Sequence, residues 1–175
     1  MIYLSFDIEE FDMPKEYGFD IPFERQMSIS REGLTAILDL LQKHEAKATF
    51  FSTVVFAQNA SDLIQRLLSE GHELASHTYY HSDFAIEHLR SSKEALESQF
   101  GVSIEGLRMP RMLEVSATDV SQAGYSYNSS VNPTFLPGRY NKLQVPRALF
   151  REGDLWQIPA AVSPWRIPLF WLSFH

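Results

Sequence analysis

Cysteine is absent from all 175 residues. That removes disulfide frameworks and thiolate chemistry and leaves the redox compartment open. Long apolar runs are missing too: no stretch of about 18 apolar residues exists, so no membrane span is expected. Basic residues are in the minority, 15 Lys and Arg against 22 Asp and Glu, a formal charge of −7. Such a balance disfavours nucleic acid or an acidic membrane surface as the main partner. No internal repeat, low-complexity tract or domain linker interrupts the chain. No signal-peptide pattern opens it, so the default expectation is a cytoplasmic protein, or one trimmed of a targeting signal. What remains is 45% apolar and 21% charged, a globular balance at a length that suits a single domain, 1–175, with one sizeable core.

The hydrophobic pattern alternates. Residues 2–8 read as a buried strand, and 13–28, with Pro14, Gly18 and Pro22, as a loop. Ser30 is placed to cap a helix reaching about His44, with Leu34, Ile37, Leu38 and Leu41 on one face. Lys47 to Val55 reads as a strand, followed by a helix from Ser61 to Gly71, a short strand from His72 to Ser76 and a helix from Phe84 to Phe100. Ile104–Leu107 and Tyr125–Tyr127 are further strands, separated by a short helix over Ser116–Gln122. This β-α alternation predicts a parallel sheet with crossover helices. Its charged residues fall at C-terminal strand ends, the face where α/β barrels carry their sites, so a barrel-like arrangement is expected. After Ser130 the prolines at 133, 137, 146, 159, 164 and 168 break the pattern, and Leu155–Val162 is the one strand candidate.

Two segments carry chemistry. Asp7, Glu9, Glu10 and Asp12 put four acids into six positions at a strand end. Unpaired carboxylates there repel and are costly to bury, a cost that a cation would remove. In an extended chain Asp7 and Glu9 point to one side and Glu10 to the other. The second segment is His77-Thr78-Tyr79-Tyr80-His81, two imidazoles four apart, which on a helical turn would share one face. Each segment alone has a plain reading, a solvated acidic loop or a pair of surface histidines. Together they offer two histidines and a carboxylate, a facial set that leaves positions open on a metal, with a second carboxylate free to act as a base.

With these residues the chain resembles the polysaccharide deacetylases, carbohydrate esterase family four. The resemblance covers residues 2 to 131 and rests on Ser5-Phe6-Asp7-Ile8-Glu9-Glu10, Ala48-Thr49-Phe50-Phe51, Gly71-His72-Glu73-Leu74-Ala75-Ser76-His77-Thr78-Tyr79-Tyr80-His81 and Gly106-Leu107-Arg108-Met109-Pro110. It implies a distorted (β/α) barrel, a divalent metal and hydrolysis of N-acetyl groups on sugars. Residue by residue, Asp7 matches the catalytic base, and His77 and His81 the metal pair. The family's common motif has adjacent aspartates. Here Ile8 follows Asp7, so an acid-x-acid variant makes Glu9 the third ligand, with Glu10 the open alternative. Arg108 matches the arginine that orients the base. Arg111 stands where the family has an aromatic residue whose backbone N–H supports the oxyanion.

The last third departs further. Tyr127-Asn128-Ser129-Ser130 resembles a segment in which an acid stands at position 128. The family's general acid is a histidine in a late Leu-x-x-His-like or His-Pro motif. Leu172-Ser173-Phe174-His175 matches that spacing but lies among aromatics at the very end of the chain, and His72, which reads as structural, and His88 are no better candidates. Five strands by Tyr127 and an apolar terminal segment from Trp165 to Phe174 suggest a barrel that is incomplete at the C-terminus and would self-associate there. The resemblance thus predicts a metal-dependent N-deacetylase with an N-acetylated carbohydrate as its partner. Its cofactor would be one divalent ion, zinc first, with cobalt, nickel, iron or manganese as alternatives. The competing readings are hydrolysis of another non-peptide C–N bond, in a ureide or a lipid-linked aminosugar, and a catalytically inactive sugar-binding domain.

Overall fold

The computed structural model describes residues 3–138 and 140–167. The chain forms two compact units, Met1–Ile104 and Glu105–His175. In the first, three parallel strands, β1 (Leu4–Ile8), β2 (Ala48–Ser52) and β3 (Glu73–Ser76), lie side by side in chain order. A single turn, α1 (Met13–Glu16), and the long α2 (Phe23–Lys43) connect β1 to β2. Next come α3 (Val54–Asn59) and α4 (Ser61–Ser69) between β2 and β3, and α5 (His88–Phe100) closes the unit.

The loop expected over 13–28 is thus partly helical, and α2 begins seven residues before Ser30. Pro22, at the N-cap, cannot donate a hydrogen bond and is extended at φ −58°, ψ 143°, so the helix starts immediately after it. Gln26 and Met27 then join Leu34, Leu38 and Leu41 on the buried face, and the Gln26 amide donates to the Ile21 carbonyl at 2.9 Å. Ile37, expected on that face, is half-buried. Fully burying a side chain such as Leu34 or Leu38 is worth about 1.5–3 kcal/mol each. These residues, with Phe50, Phe51, Phe56, Ile64, Leu67, Leu74, Leu89 and Leu96, form the core of this unit.

β2 stops at Ser52, short of the expected Val55. Thr53 is extended and its hydroxyl accepts the Phe56 N–H at 3.1 Å, capping α3. Val54 and Val55 enter the helix despite their strand preference, because tertiary packing overrides propensity. α5 starts at His88, four residues after the expected Phe84, and Ile86 is exposed ahead of it.

In the second unit β4 (Gly106–Leu107) precedes a 3₁₀ turn at Pro110–Met112 and α6 (Ala117–Gln122). The short strands β5 (Tyr127–Asn128), β6 (Phe135–Leu136), β7 (Tyr140–Asn141), β8 (Phe150–Glu152) and β9 (Leu155–Gln157) follow. β5 lies between β4 and β9, parallel to both; β8 pairs antiparallel with β9, and β6 pairs with β7 as a separate antiparallel ribbon. The expected strand over Leu155–Val162 is limited to three residues, with Pro159 just beyond it. Arg166 braces the surrounding loops by donating to the carbonyls of Pro133, Lys142 and Val145 at 3.2, 2.9 and 2.7 Å. Trp165 is exposed, whereas the terminal segment 168–175, with His175, lies outside the described residues. Among the described residues no helix is long and apolar enough to cross a membrane.

Candidate active site

Strand register positions the site. Ile8, Ser52 and Ser76 stand level across β1, β2 and β3, so Glu9, Thr53 and His77 are the next residues off three adjacent strand ends. Backbone bonds continue past the strands: Thr53 N–H donates to the Ile8 carbonyl at 3.2 Å and His77 N–H to the Ser52 carbonyl at 2.8 Å. Residues 68 apart in sequence are thereby held at one sheet edge.

There Glu9, His77 and His81 converge, each offering one ligand atom within 4.8 Å of the others. His77 Nε2 is 3.1 Å from Glu9 Oε2, and His81 Nε2 is 3.3 Å from Glu9 Oε1. The imidazole rings stack at 6.1 Å between centroids. His77 is buried, Glu9 half-buried.

The histidine pair does not ride on a helical turn. It spans an irregular loop between β3 and α5, and the reversal that brings His81 back comes from Thr78 at φ 66°. A β-branched residue in the left-handed region is a strained outlier. Thr78 is held there by its N–H donating to Ser76 Oγ at 3.2 Å, its hydroxyl donating to the Tyr80 carbonyl at 2.9 Å, and its carbonyl accepting Val54 N–H at 3.2 Å.

The four acids divide their work. Asp7 lies on β1 and is exposed, two residues before Glu9. Glu10 is buried: its Oε2 accepts the Thr53 hydroxyl at 2.8 Å and its Oε1 accepts the His81 N–H at 3.4 Å. Asp12, also buried, contacts His81 Nδ1 at 2.7 Å and accepts a hydrogen bond from the Ser82 hydroxyl. Glu9, not Glu10, therefore faces the histidines. The tasks of Glu10 and Asp12 were not read from sequence; the one available signal was the density of acids.

The cluster fits a divalent cation. Glu9 Oε2 is buried and accepts no hydrogen bond, a costly state for a carboxylate oxygen unless a cation meets it. Asp12 Oδ1 lies 2.7 Å from His81 Nδ1 and, as a carboxylate, accepts from it, while Nε2 faces Glu9, the arrangement of a metal-ligating histidine whose other nitrogen is held by a carboxylate. Two imidazole nitrogens and a carboxylate suit zinc and its neighbours.

Arg108 and Arg111 belong to the second unit. Arg108 is buried, with Nε donating to the Ser129 carbonyl at 3.2 Å and Nη2 to Ser129 Oγ at 2.9 Å. Ser130 Oγ accepts the Met109 N–H at 2.8 Å and donates to Asn128 Oδ1 at 2.5 Å. Asn128 Nδ2 donates to Gln157 Oε1 at 3.0 Å. Asn128 thus fixes the turn after β4 through neutral amides. Arg111, in that turn, is exposed at φ 54°.

His72 takes no part in the cluster. It is buried on β3's approach, its Nδ1 accepts the Ala48 N–H at 3.2 Å, and burial holds its pKa below the ordinary imidazole value. The candidate acid His175 lies outside the described residues.

An α/β unit with a histidine-histidine-glutamate cluster at the C-terminal ends of parallel strands is the class of protein defined here. Residues 1–127 match the family described as polysaccharide deacetylase, and the chain belongs to that family. It is 34% identical over 109 residues to a chitooligosaccharide deacetylase of Rhizobium leguminosarum bv. phaseoli, a match covering 55% of this chain and 48% of the relative. A solved structure from Mycobacterium smegmatis assigned to the polysaccharide deacetylases superposes with a TM-score of 0.64 at 21% identity, over 91% of this chain and 58% of that one. Puue allantoinase gives a TM-score of 0.63 at 18% identity, over 91% and 61%. These likenesses show the fold to be the α/β fold of the family. The chain spans about half, or less, of the length of the curated relatives it matches.

Proposed function

We propose that this chain carries the metal-binding and base residues of a carbohydrate N-deacetylase acting on an N-acetylated sugar. One observation carries the reading: Glu9 presents a buried carboxylate oxygen without a hydrogen bond to two histidine nitrogens, 3.1 and 3.3 Å from its two oxygens. Family membership supports the reaction class. Glu9, His77 and His81 would hold the ion, zinc by the chemistry of the donor set. When bound, such an ion supplies Lewis acidity that makes water easier to deprotonate and a carbonyl easier to attack.

The chain's own residues do the rest. Asp7 takes a proton from the attacking water as its oxygen bonds to the acetamide carbon. The family resemblance gives Arg108 the role of orienting the base and the Arg111 N–H that of steadying the developing oxyanion. The carbon–nitrogen bond then breaks, the nitrogen gains a proton, and acetate and an amine leave.

The test separates binding from turnover. His77→Ala, His81→Ala and Glu9→Ala should each lose stoichiometric zinc by elemental analysis. Asp7→Asn should keep zinc and release acetate from N-acetylglucosamine oligomers about 10²-fold more slowly or worse. Exchanged phenotypes for Asp7 and Glu9 would mean that base and ligand are swapped. Zinc bound by the unaltered protein with no acetate released would favour a sugar-binding role.

A further inference from the structure

Asp12 immediately precedes α1, at the N-cap position where an aspartate ordinarily accepts a backbone N–H of the first turn. Here its side chain makes no such bond. The local cap is forgone, so another interaction holds the carboxylate. It is turned instead to His81 and Ser82, 69 and 70 residues away in sequence. The Asp12 and His81 side chains are each 9% exposed, and their 2.7 Å separation is that of a charge-assisted hydrogen bond. Ser82 occupies the other carboxylate oxygen, so the carboxylate cannot rotate away from the ring without breaking a second bond.

His81 is gripped twice. Asp12 holds the ring, while Glu10, itself anchored on Thr53, takes the backbone N–H. His77, by contrast, takes its place directly from the sheet, through its N–H on Ser52. Of the two histidines, His81 sits on irregular chain and has the greater need of an external brace.

We propose that Asp12, steadied by Ser82, is a positioning residue for the site: it fixes His81 as the Nδ1–H tautomer and aims its Nε2 at Glu9. The proposal rests on the metal reading above for its consequence, but the tautomer is a property of the protein alone. An aspartate at position 12 raises ligand basicity and holds the ring in place before any ion arrives. Its loss leaves the ring free to rotate and to carry its proton on Nε2, where the proton blocks coordination.

Two measurements on the full chain test this. The first is zinc affinity by competition with a chromophoric chelator. Asp12→Ala should bind zinc about 10- to 100-fold more weakly. Ser82→Ala should shift in the same direction by less. Asp12→Asn is nearly isosteric and its amide oxygen still accepts from Nδ1–H, so it should recover part of the loss. The second is the ¹⁵N spectrum of histidine-labelled, metal-free protein, followed upward in pH until the His81 ring signals no longer change, so that the tautomer is read from the neutral ring. His81 should be the Nδ1–H form in the unaltered protein and in Asp12→Asn, and shift toward Nε2–H in Asp12→Ala. Unchanged zinc affinity in all three variants would overturn the proposal while leaving the metal site intact. If the unaltered protein binds no zinc, the metal reading fails, and the spectra alone decide: a tautomer mixture indifferent to Asp12 overturns the positioning role, and the predicted shift upholds it.

Discussion

His72 and His81 show how one residue type takes opposite parts within ten positions. His72 is enclosed by the core, edge-on to Phe50, with its Nδ1 receiving the Ala48 N–H. Burial disfavours its charged form, so its folded pKa lies below the 6.5 of a free imidazole. The unfolded chain therefore binds a proton at a pH where the folded chain does not. The corresponding stability is fully present above about pH 6.5 and is lost as pH falls from there through the folded value. The metal-free protein should melt at progressively lower temperature across that window. His72→Gln, whose amide oxygen can take the Ala48 N–H, should show a shallower fall by calorimetry. Equal slopes in the two proteins would remove His72 as the cause.

At the scale of elements, the site depends on where strands stop. β2 ends because Thr53 turns its hydroxyl to cap α3, and the same hydroxyl donates to Glu10, which holds the His81 backbone. One residue thus terminates a strand, starts a helix and ties two loops together. Thr53→Val keeps the shape and removes the hydroxyl. The change should cost about 1–3 kcal/mol in urea unfolding, from a lost cap and a buried carboxylate oxygen left without its donor. Zinc affinity should weaken as well; a stability loss with undiminished affinity would separate the cap from the site. Gly106 makes a parallel point in β4. A Cβ there would lie 2.0 Å from the Tyr127 ring, so Gly106→Ala should destabilise the protein by about 1–3 kcal/mol through overpacking, and the additional change Tyr127→Ala should lessen that penalty.

For the whole molecule, the consequence of the cluster is a linkage between metal and stability. An ion that binds the folded chain and not the unfolded one stabilises it by about 2.7 kcal/mol at a hundred times its dissociation constant. Adding zinc should raise the melting temperature of the unaltered protein, and a chelator should reverse the rise. His81→Ala should melt at the same temperature with or without zinc. A zinc-dependent rise that survives in His81→Ala would place the ion elsewhere. This shift reports on the first unit's cluster alone and needs no turnover.

The alternation of strand and helix, the leucines of the α2 core face and the residues of the cluster were legible in the sequence, because apolar period and residue chemistry are local properties. Side-chain alternation along extended chain favoured Glu9 over Glu10 but left Glu10 open; the structure puts Glu9 beside the histidines and Glu10 on Thr53. Three things were decided only by tertiary structure. The histidine pair faces Glu9 through a loop reversal at Thr78, which no helical spacing describes. Asp12 forgoes its local cap for partners 69 and 70 residues away, and spacing along the chain carries no trace of such a contact. The start of α2 at Phe23 and the two- and three-residue strands after Ser130 depend on which backbone groups find partners, and segments that short are set by their neighbours rather than by their own composition.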